Sequence, residues 1–300
     1  MCVVDTTCVA VSIIAIITVY LAVAPPTRPH TPQTHTVVLW SRPCPECTTF
    51  ETAVHHILST NRRHGNRASF VQIGANDGQN ADPLYPFLKR DKSAWVGIMV
   101  EPTPGPYTKL RQLHRDTTGW GFYNGAMAPK LMCQNNSVSF WELPGHRYNE
   151  TGWWTLVNTM DKNSPHIARG EKGGYLKPVT RACLADFSIL FRRYGSQKFK
   201  HNTIMDDVYY VDLLLIDVEC RDYDILSLID FARFRPLFIQ YEALDCMGPG
   251  LQRAANLLQS HGYELFQQGG RDVLARHQSV GQTTRPPVEQ TLQTVVVPIQ

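Results

Sequence analysis

The chain has 300 residues, 43% of them hydrophobic and 18% charged. That is enough apolar content to bury a core in one large or two small domains, and too much for a disordered chain. Its 29 basic and 26 acidic residues give a net charge of +3. The basic residues are scattered apart from pairs such as Arg62-Arg63 and Arg192-Arg193, so a nucleic-acid partner is not expected.

The first informative segment is CVAVSIIAIITVYLAVA, Cys8 to Ala24, 17 residues without a charge. A bilayer core takes about 20 apolar residues, with about 17 at the lower limit. AVA before Pro25 resembles a cleavage site, but the basic n-region of a signal peptide is missing and proline fits poorly after the cut. Residues 1–24 therefore read as a short tail and a transmembrane signal anchor, with the membrane as partner through residues 8–24. Arg28 leans against a luminal C-terminus. The Pro/Thr-rich stem at 25–42 and the sequons Asn135-Asn136-Ser137 and Asn149-Glu150-Thr151 lean towards one. The expectation is a single-pass membrane protein of the ER or Golgi with a luminal catalytic domain.

Six cysteines follow the apolar run, namely Cys44, Cys47, Cys133, Cys183, Cys220 and Cys246. Six cysteines allow 15 connectivities, and the sequence does not choose among them. Cys44-Pro-Glu-Cys47 has the spacing of a redox motif or half a zinc site, but no second CxxC exists and His55-His56 stand at no standard zinc spacing. A structural disulfide is the preferred reading, and no metal site is expected.

Residues 43–278 carry a regular alternation. CTTFETAVHHILSTNRRHG (47–65) has helical spacing, SFVQIG is a buried strand, and DPLYPFLKRD opens a helix. AWVGIMVE (94–101) is a second buried strand, EPTPGPYTKLRQLH turns into a helix, and GWGFYNGAM (119–127) is a third strand. VDLLLIDVE (211–219) and RPLFIQYEALD (235–245) are further buried strands, followed by the helices RDYDILSLIDFARF and GLQRAANLLQSHGY. YELFQQGGRDVLARH (263–277) closes the domain as a hairpin. Continuous apolar strands alternating with helices predict an α/β fold, a doubly wound, mostly parallel sheet covered on both faces. An insertion at about 128–210 holds two or three more strands and one helix, and residues 279–300 read as a weakly ordered tail.

Ligands of such sheets bind outside the carboxyl ends of the strands. Asp77, Glu101, Asp217, Glu219 and Glu242 all fall at such ends; single acids there often cap helices, but five at one edge mark a site. Gly74, Ala75, Asn76, Asp77 and Gly78 form a turn whose N–H groups suit a carboxylate or phosphate. Glu101 follows Gly74 by 27 residues and is placed to accept both hydroxyls of a ribose. Two cofactors satisfy this, NAD and S-adenosylmethionine (SAM). The GxxxG of Gly74 and Gly78 lacks the middle glycine of the dinucleotide fingerprint, and an acid-lined pocket suits a sulfonium better than a pyrophosphate. SAM is the expected cofactor.

Four blocks in this order resemble the FkbM-type SAM-dependent methyltransferases. VQIGANDGQN is similar to that family's D-x-G-A-N-x-G loop and VEPTPGPYTKL to its V-E-P-x-P segment. LLLIDVECRDYDIL is similar to its K-I-D-V-E-G segment and FIQYE to the strand that follows, over residues 68–275. Gln72 stands where the family usually has an acid, Leu215 where it often has lysine and Cys220 where it usually has glycine. The resemblance implies a Rossmann-like class I methyltransferase with a seven-stranded sheet. It places Gly74 to Gly78 against the methionine part of SAM and Glu101, followed by Pro102, at the ribose. It sets Asp217 to Glu219 beside the methyl group and the acceptor.

Asp217, Glu219 and Glu242 are the candidate general bases for a hydroxyl acceptor of a glycan or small molecule. Asp217 and Glu219 are two residues apart, so on an extended strand they would share a face. His146 and His166 are weaker alternatives, and Trp141, Trp153 and Trp154 suit either a lid or a core. Two other classes stand beside this one. Asp222-Tyr223-Asp224 is a D-x-D of the kind that holds a metal and a sugar nucleotide in Golgi glycosyltransferases. A catalytically silent binding protein would keep the fold without turnover.

Overall fold

The computed structural model describes residues 44–142, 159–160, 177–205, 208–243 and 247–281. In chain order the elements are α1 (Phe50–Arg63), β1 (Ala68–Ile73), α2 (Tyr85–Arg90), β2 (Trp95–Val100), α3 (Pro104–Leu113), β3 (Trp120–Tyr123), β4 (Ala126–Met127) and β5 (Ser137–Glu142). Then follow β6 (Lys177–Leu184), α4 (Phe187–Tyr194), α5 (Gln197–Thr203), β7 (Ile204–Met205), β8 (Val208–Ile216), α6 (Asp222–Leu226), β9 (Phe234–Glu242), α7 (Pro249–Ser260), β10 (Tyr263–Gln268) and β11 (Asp272–His277).

The main sheet runs β10-β11-β9-β8-β1-β2-β3, with the two-residue β7 added on β8. Strands β3, β2, β1, β8 and β9 are mutually parallel, and the β10–β11 hairpin is joined to β9 by antiparallel pairing. All six residues of β1 and all six of β2 are buried, as expected of strands covered on both faces. One core lies on the face of Val71, Ile98, Leu214 and Phe191; the other contains Phe70, Trp95, Leu213 and Ile57. Helix α1 closes the second face, entered through a Thr49–Thr52 capping box and burying Ala53, Val54 and Ile57.

From β1 the chain winds outward through β2 and β3, then returns to place β8 and β9 on the other side of β1. The order therefore reverses between β1 and β8, where such sheets bind ligands. Ile73 pairs with Ile216 there, so the loops that begin at Gly74 and Asp217 leave the sheet side by side.

The insertion makes a small sheet, β4-β6-β5, tied by a Cys133–Cys183 disulfide. Cys44 and Cys47 are also disulfide-bonded to each other, as is Cys220 to a further cysteine. Two helices, α4 and α5, stand in the stretch where the sequence suggests one. The expected third strand is split in two, because β3 joins the main sheet while β4 joins the small one. Across the boundary with the expected tail, Gln278–Gly281 form a 3-10 turn and Val280 is buried; 282–300 lie outside the described residues.

The localisation expected from the sequence is corrected. Among the described residues no helix is long and apolar enough to cross a membrane. The longest of them, α1, has 14 residues, about 21 Å of helix against a hydrocarbon core of about 30 Å. The supposed anchor at 8–24 and the stem at 25–42 lie outside the described residues, as do Asn149 and its sequon.

Candidate active site

The glycine turn is where three strands are fastened together. Gly74 N and Ala75 N both donate to Val100 O, at 3.0 and 2.9 Å, and Asp217 N donates to Ile73 O at 3.0 Å. Gly74 has φ +85°, and a Cβ on it would sit 1.7 Å from the backbone oxygen of Asp217. Glycine is required because the ends of β1 and β8 touch there. Gly78, at φ +71°, has a different role. A Cβ on it would meet Leu110 Cδ1 at 2.4 Å, so its bareness admits α3. Asp77 turns away and accepts from Gln79 N and Asn80 N at 3.0 and 2.9 Å, an Asx-turn arrangement.

Gly74, Ala75, Asn76, Glu101, Pro102, Asp217, Glu219 and Glu242 line one cleft of about 370 Å³; Asp77 and Gly78 do not. Glu101 is 4% exposed. Its Oε2 accepts from Asn76 N at 2.9 Å and its Oε1 from Thr103 N at 2.7 Å. The acid thus shapes the turn, and each oxygen keeps acceptor capacity for a ligand. Burial pushes its pKa up to about 7 despite those bonds.

Asp217, Glu219 and Glu242 meet, with one oxygen of each within 4.8 Å of the others. Asp217 and Glu219 come together for a reason other than the one the sequence suggests. β8 ends at Ile216, and Glu219 and Cys220 adopt φ +55° and +76°, so Glu219 is delivered by a left-handed turn rather than by strand alternation. Thr159 Oγ1 donates to Glu219 O at 2.9 Å and braces that turn from the insertion. Asp217 has open area towards the cleft but is surrounded by protein, and desolvation raises its pKa, helped by Asp272 and Asp82. Burial also raises Glu219, and pushes Glu242 up to about 8 with Asp217 as the next cause.

Several cleft residues escaped the sequence reading. Asp82 accepts from Gln72 Nε2 at 3.2 Å, and Asp272 stands opposite Glu242 on β11. Arg271 is the one cationic side chain, among the described residues, in the cleft lining, and Phe140 and Met160 reach in from the insertion. Asp82 precedes Pro83, a visible turn signal; the others depend on the register of distant strands. Trp141 does not line the cleft, while Trp153, Trp154, His146 and His166 lie outside the described residues. The D-x-D reading fails on geometry. Asp222 is fully buried and accepts from Glu242 N at 3.1 Å, Asp224 is paired with Arg221 at 2.9 Å, and neither lines the cleft.

A profile of the methyltransferase FkbM domain matches residues 72–265 of this chain. The chain belongs to that family. Its domain is therefore a methyltransferase domain with SAM as the cofactor. No curated protein matches it in sequence. Among solved structures, the METTL16 MTase domain is 10% identical with a TM-score of 0.32, covering 75% of this chain and 64% of that one. A human methyltransferase 10 domain containing protein is 11% identical, TM-score 0.32, over 75% and 81%. The N-terminal domain of human METTL16 in complex with SAH is 11% identical, TM-score 0.31, over 76% and 69%. Similarities this low add nothing to the family assignment.

The cleft itself fits the cofactor. About 370 Å³ falls within the range of small-molecule sites. Glu101 would hold the ribose, and the 74–76 turn, which lines the cleft beside it, would face the methionine end. The carboxylates at the ends of β8 and β9 offer the charge that a sulfonium needs.

Proposed function

We propose that this methyltransferase methylates oxygen, and that its acceptor is a hydroxyl of a small molecule or a glycan. The observation that carries this reading is the convergence of Asp217, Glu219 and Glu242 within 4.8 Å, in the cleft that Glu101 also lines. A hydroxyl loses its proton as it is methylated and so profits from a general base, and a carboxylate at hydrogen-bond reach can take it.

Bound SAM supplies a methyl group on a positively charged sulfur, and the displacement breaks the C–S bond, forms the C–O bond and leaves a neutral thioether. The chain contributes position. Glu101 and the 74–76 turn orient the donor from the β1–β2 side. The carboxylate group at the ends of β8 and β9 faces the acceptor and takes its proton, with Asp217 the first candidate because it lies at the reversal of strand order. Phe140 and Met160 form an apolar wall that excludes competing water.

The test is single-turnover transfer of labelled methyl from SAM to a panel of phenols, saccharides and aliphatic alcohols, with amines as controls. Asn at Asp217 should lower the rate by about 10²–10⁴-fold while leaving SAM affinity largely intact. Near-normal turnover in Asp217→Asn, Glu219→Gln and Glu242→Gln alike would refute the base assignment, and methylation of amines alone would refute the hydroxyl acceptor.

A further inference from the structure

The same convergence has a second chemical capacity. Three carboxylates supply oxygen donors within 4.8 Å of one another. An octahedral cation with bonds of about 2.1 Å needs adjacent donors about 3.0 Å apart and opposite ones about 4.2 Å apart. Small side-chain rotations reach that geometry. The donors are all oxygen, and the neighbouring Cys220 is disulfide-bonded and offers no thiolate, which selects a hard cation over zinc.

Acidic groups gather at strand ends for other reasons, so two further atoms decide the case. Gln240 is 7% exposed, lines the same cleft, and leaves Oε1 without a hydrogen-bond partner. It precedes Glu242 by two residues on β9 and pairs in register with Leu215, which precedes Asp217 by two. Its side chain therefore shares their face of the sheet, directly beneath the carboxylates. Asp222 is 0% exposed; its Oδ1 takes the N–H of Glu242, while Oδ2 has no partner. A buried acceptor without a partner costs about 1–3 kcal/mol, more when charged. A cation with its bound water satisfies the amide oxygen and offsets the buried carboxylate at once. Arg271, by contrast, is exposed at the rim of the cleft.

We propose that Asp217, Glu219 and Glu242 bind one divalent cation, Mg²⁺ or Mn²⁺, with Gln240 and Asp222 supporting it from behind. Binding of the ion stands on these residues alone. Its use, to hold the acceptor oxygen so that the hydroxyl proton passes to a carboxylate oxygen the ion does not occupy, rests on the O-methyltransferase reading.

The test is titration of the cofactor-free, chelator-stripped full chain with Mn²⁺, following the electron paramagnetic resonance signal of free Mn²⁺, with Mg²⁺ as competitor. One site per chain is expected, weakened at least tenfold in Asp217→Asn and in Glu242→Gln and unchanged in Asp116→Asn, an exposed acid elsewhere. Loading with Fe²⁺ and adding ascorbate and peroxide should cut the backbone near 217–219 and 242, a readout that needs no variant to fold. Absence of a stoichiometric Mn²⁺ site, or cleavage located elsewhere, overturns the proposal. SAM calorimetry in the presence of a chelator separates the two readings. SAM bound without any Mn²⁺ site removes the cation and leaves the methyltransferase reading; a Mn²⁺ site without methyl transfer does the reverse.

Discussion

Gly74→Ala is the sharpest perturbation of the site's foundation. The new Cβ would lie 1.7 Å from the oxygen and 2.8 Å from the carbon of the Asp217 carbonyl. Both are backbone atoms, so no side chain can swing aside. Restoring an ordinary contact requires the ends of β1 and β8 to part by about 1.5 Å. That movement breaks the Asp217 N to Ile73 O bond and strains the Gly74 N to Val100 O bond, both 3.0 Å. Each is worth about 1 kcal/mol net, a left-handed non-glycine residue adds about 1–2 kcal/mol, and overpacking adds about 1–3 kcal/mol. The expected loss is about 3–6 kcal/mol, or, at about 2–4 °C per kcal/mol for a domain of this size, about 6–24 °C in Tm. Gly65→Ala is the internal control: φ is +67°, but a Cβ there meets nothing within 4 Å, so it bears only the conformational cost. Scanning calorimetry on both variants separates collision from φ. Equal Tm losses in the two would refute the claim that the strand ends are locked through Gly74.

Three other outcomes follow from single contacts. Glu101→Gln should weaken SAM binding by about 1.5–3 kcal/mol, about 10- to 150-fold by calorimetry, because a neutral amide replaces an acceptor bound to the N–H groups of Asn76 and Thr103; unchanged affinity would remove Glu101 from the site. His114 is 1% exposed, and burial, with the Lys92 charge second, lowers its pKa to about 4. A folded pKa below the unfolded 6.5 means stability present above pH 6.5 and lost as pH falls towards 4; the wild type should lose about 1–2 kcal/mol more than His114→Phe between pH 7 and pH 5, and equal losses would count against it. The Cys133–Cys183 bridge closes 50 residues, so Cys133→Ser should lower unfolding free energy in denaturant by about 2–4 kcal/mol, and an unchanged midpoint would contradict it.

The parallel strands were legible because burial on both faces forces predominantly apolar runs, as in FVQI, WVGIMV and VDLLLI, where Gln72 and Asp212 are the exceptions. The cleft edge was legible because acids end those runs. What failed was local spacing without tertiary context. GWGFYNGAM reads as one strand, yet a Cβ at Gly125 would strike the Tyr123 ring and the Ala182 oxygen, and the chain turns there to reach another sheet. RDYDILSLIDFARF reads as a long amphipathic helix, yet only Asp222–Leu226 is helical. Asp222 is drawn inward to the N–H of Glu242, and Asp230 O takes the N–H groups of Arg233 and Phe234 in a turn that launches β9. Asp272 entered the cleft through hairpin register, which no local pattern encodes.

The acids of this cleft oppose folding, and that bears on why they are there. Glu101 has a folded pKa of about 7 against an unfolded 4.5, with burial as the main cause. A raised pKa means the folded state holds a proton that the unfolded state has released, so stability falls as pH rises from 4.5 towards 7, by about 3 kcal/mol at most. Asp217, Glu219, Asp222 and Glu242 shift in the same direction. Helix capping does not account for them: α6 has no side-chain cap, and Asp222 serves the N–H at the end of β9 instead. Nor does the turn at 217–220 relax, since Glu219 and Cys220 keep positive φ under the hold of Thr159 and a disulfide. Costs of this kind persist where surrounding structure imposes them, and they gather at functional sites. Among the described residues a single exposed arginine lines the cleft against six carboxylates, so on the proposed readings the offsetting charge would come from outside the chain. On the readings proposed above, the sulfonium of the cofactor would supply part of that charge, and a cation held by Asp217, Glu219 and Glu242 would supply the remainder.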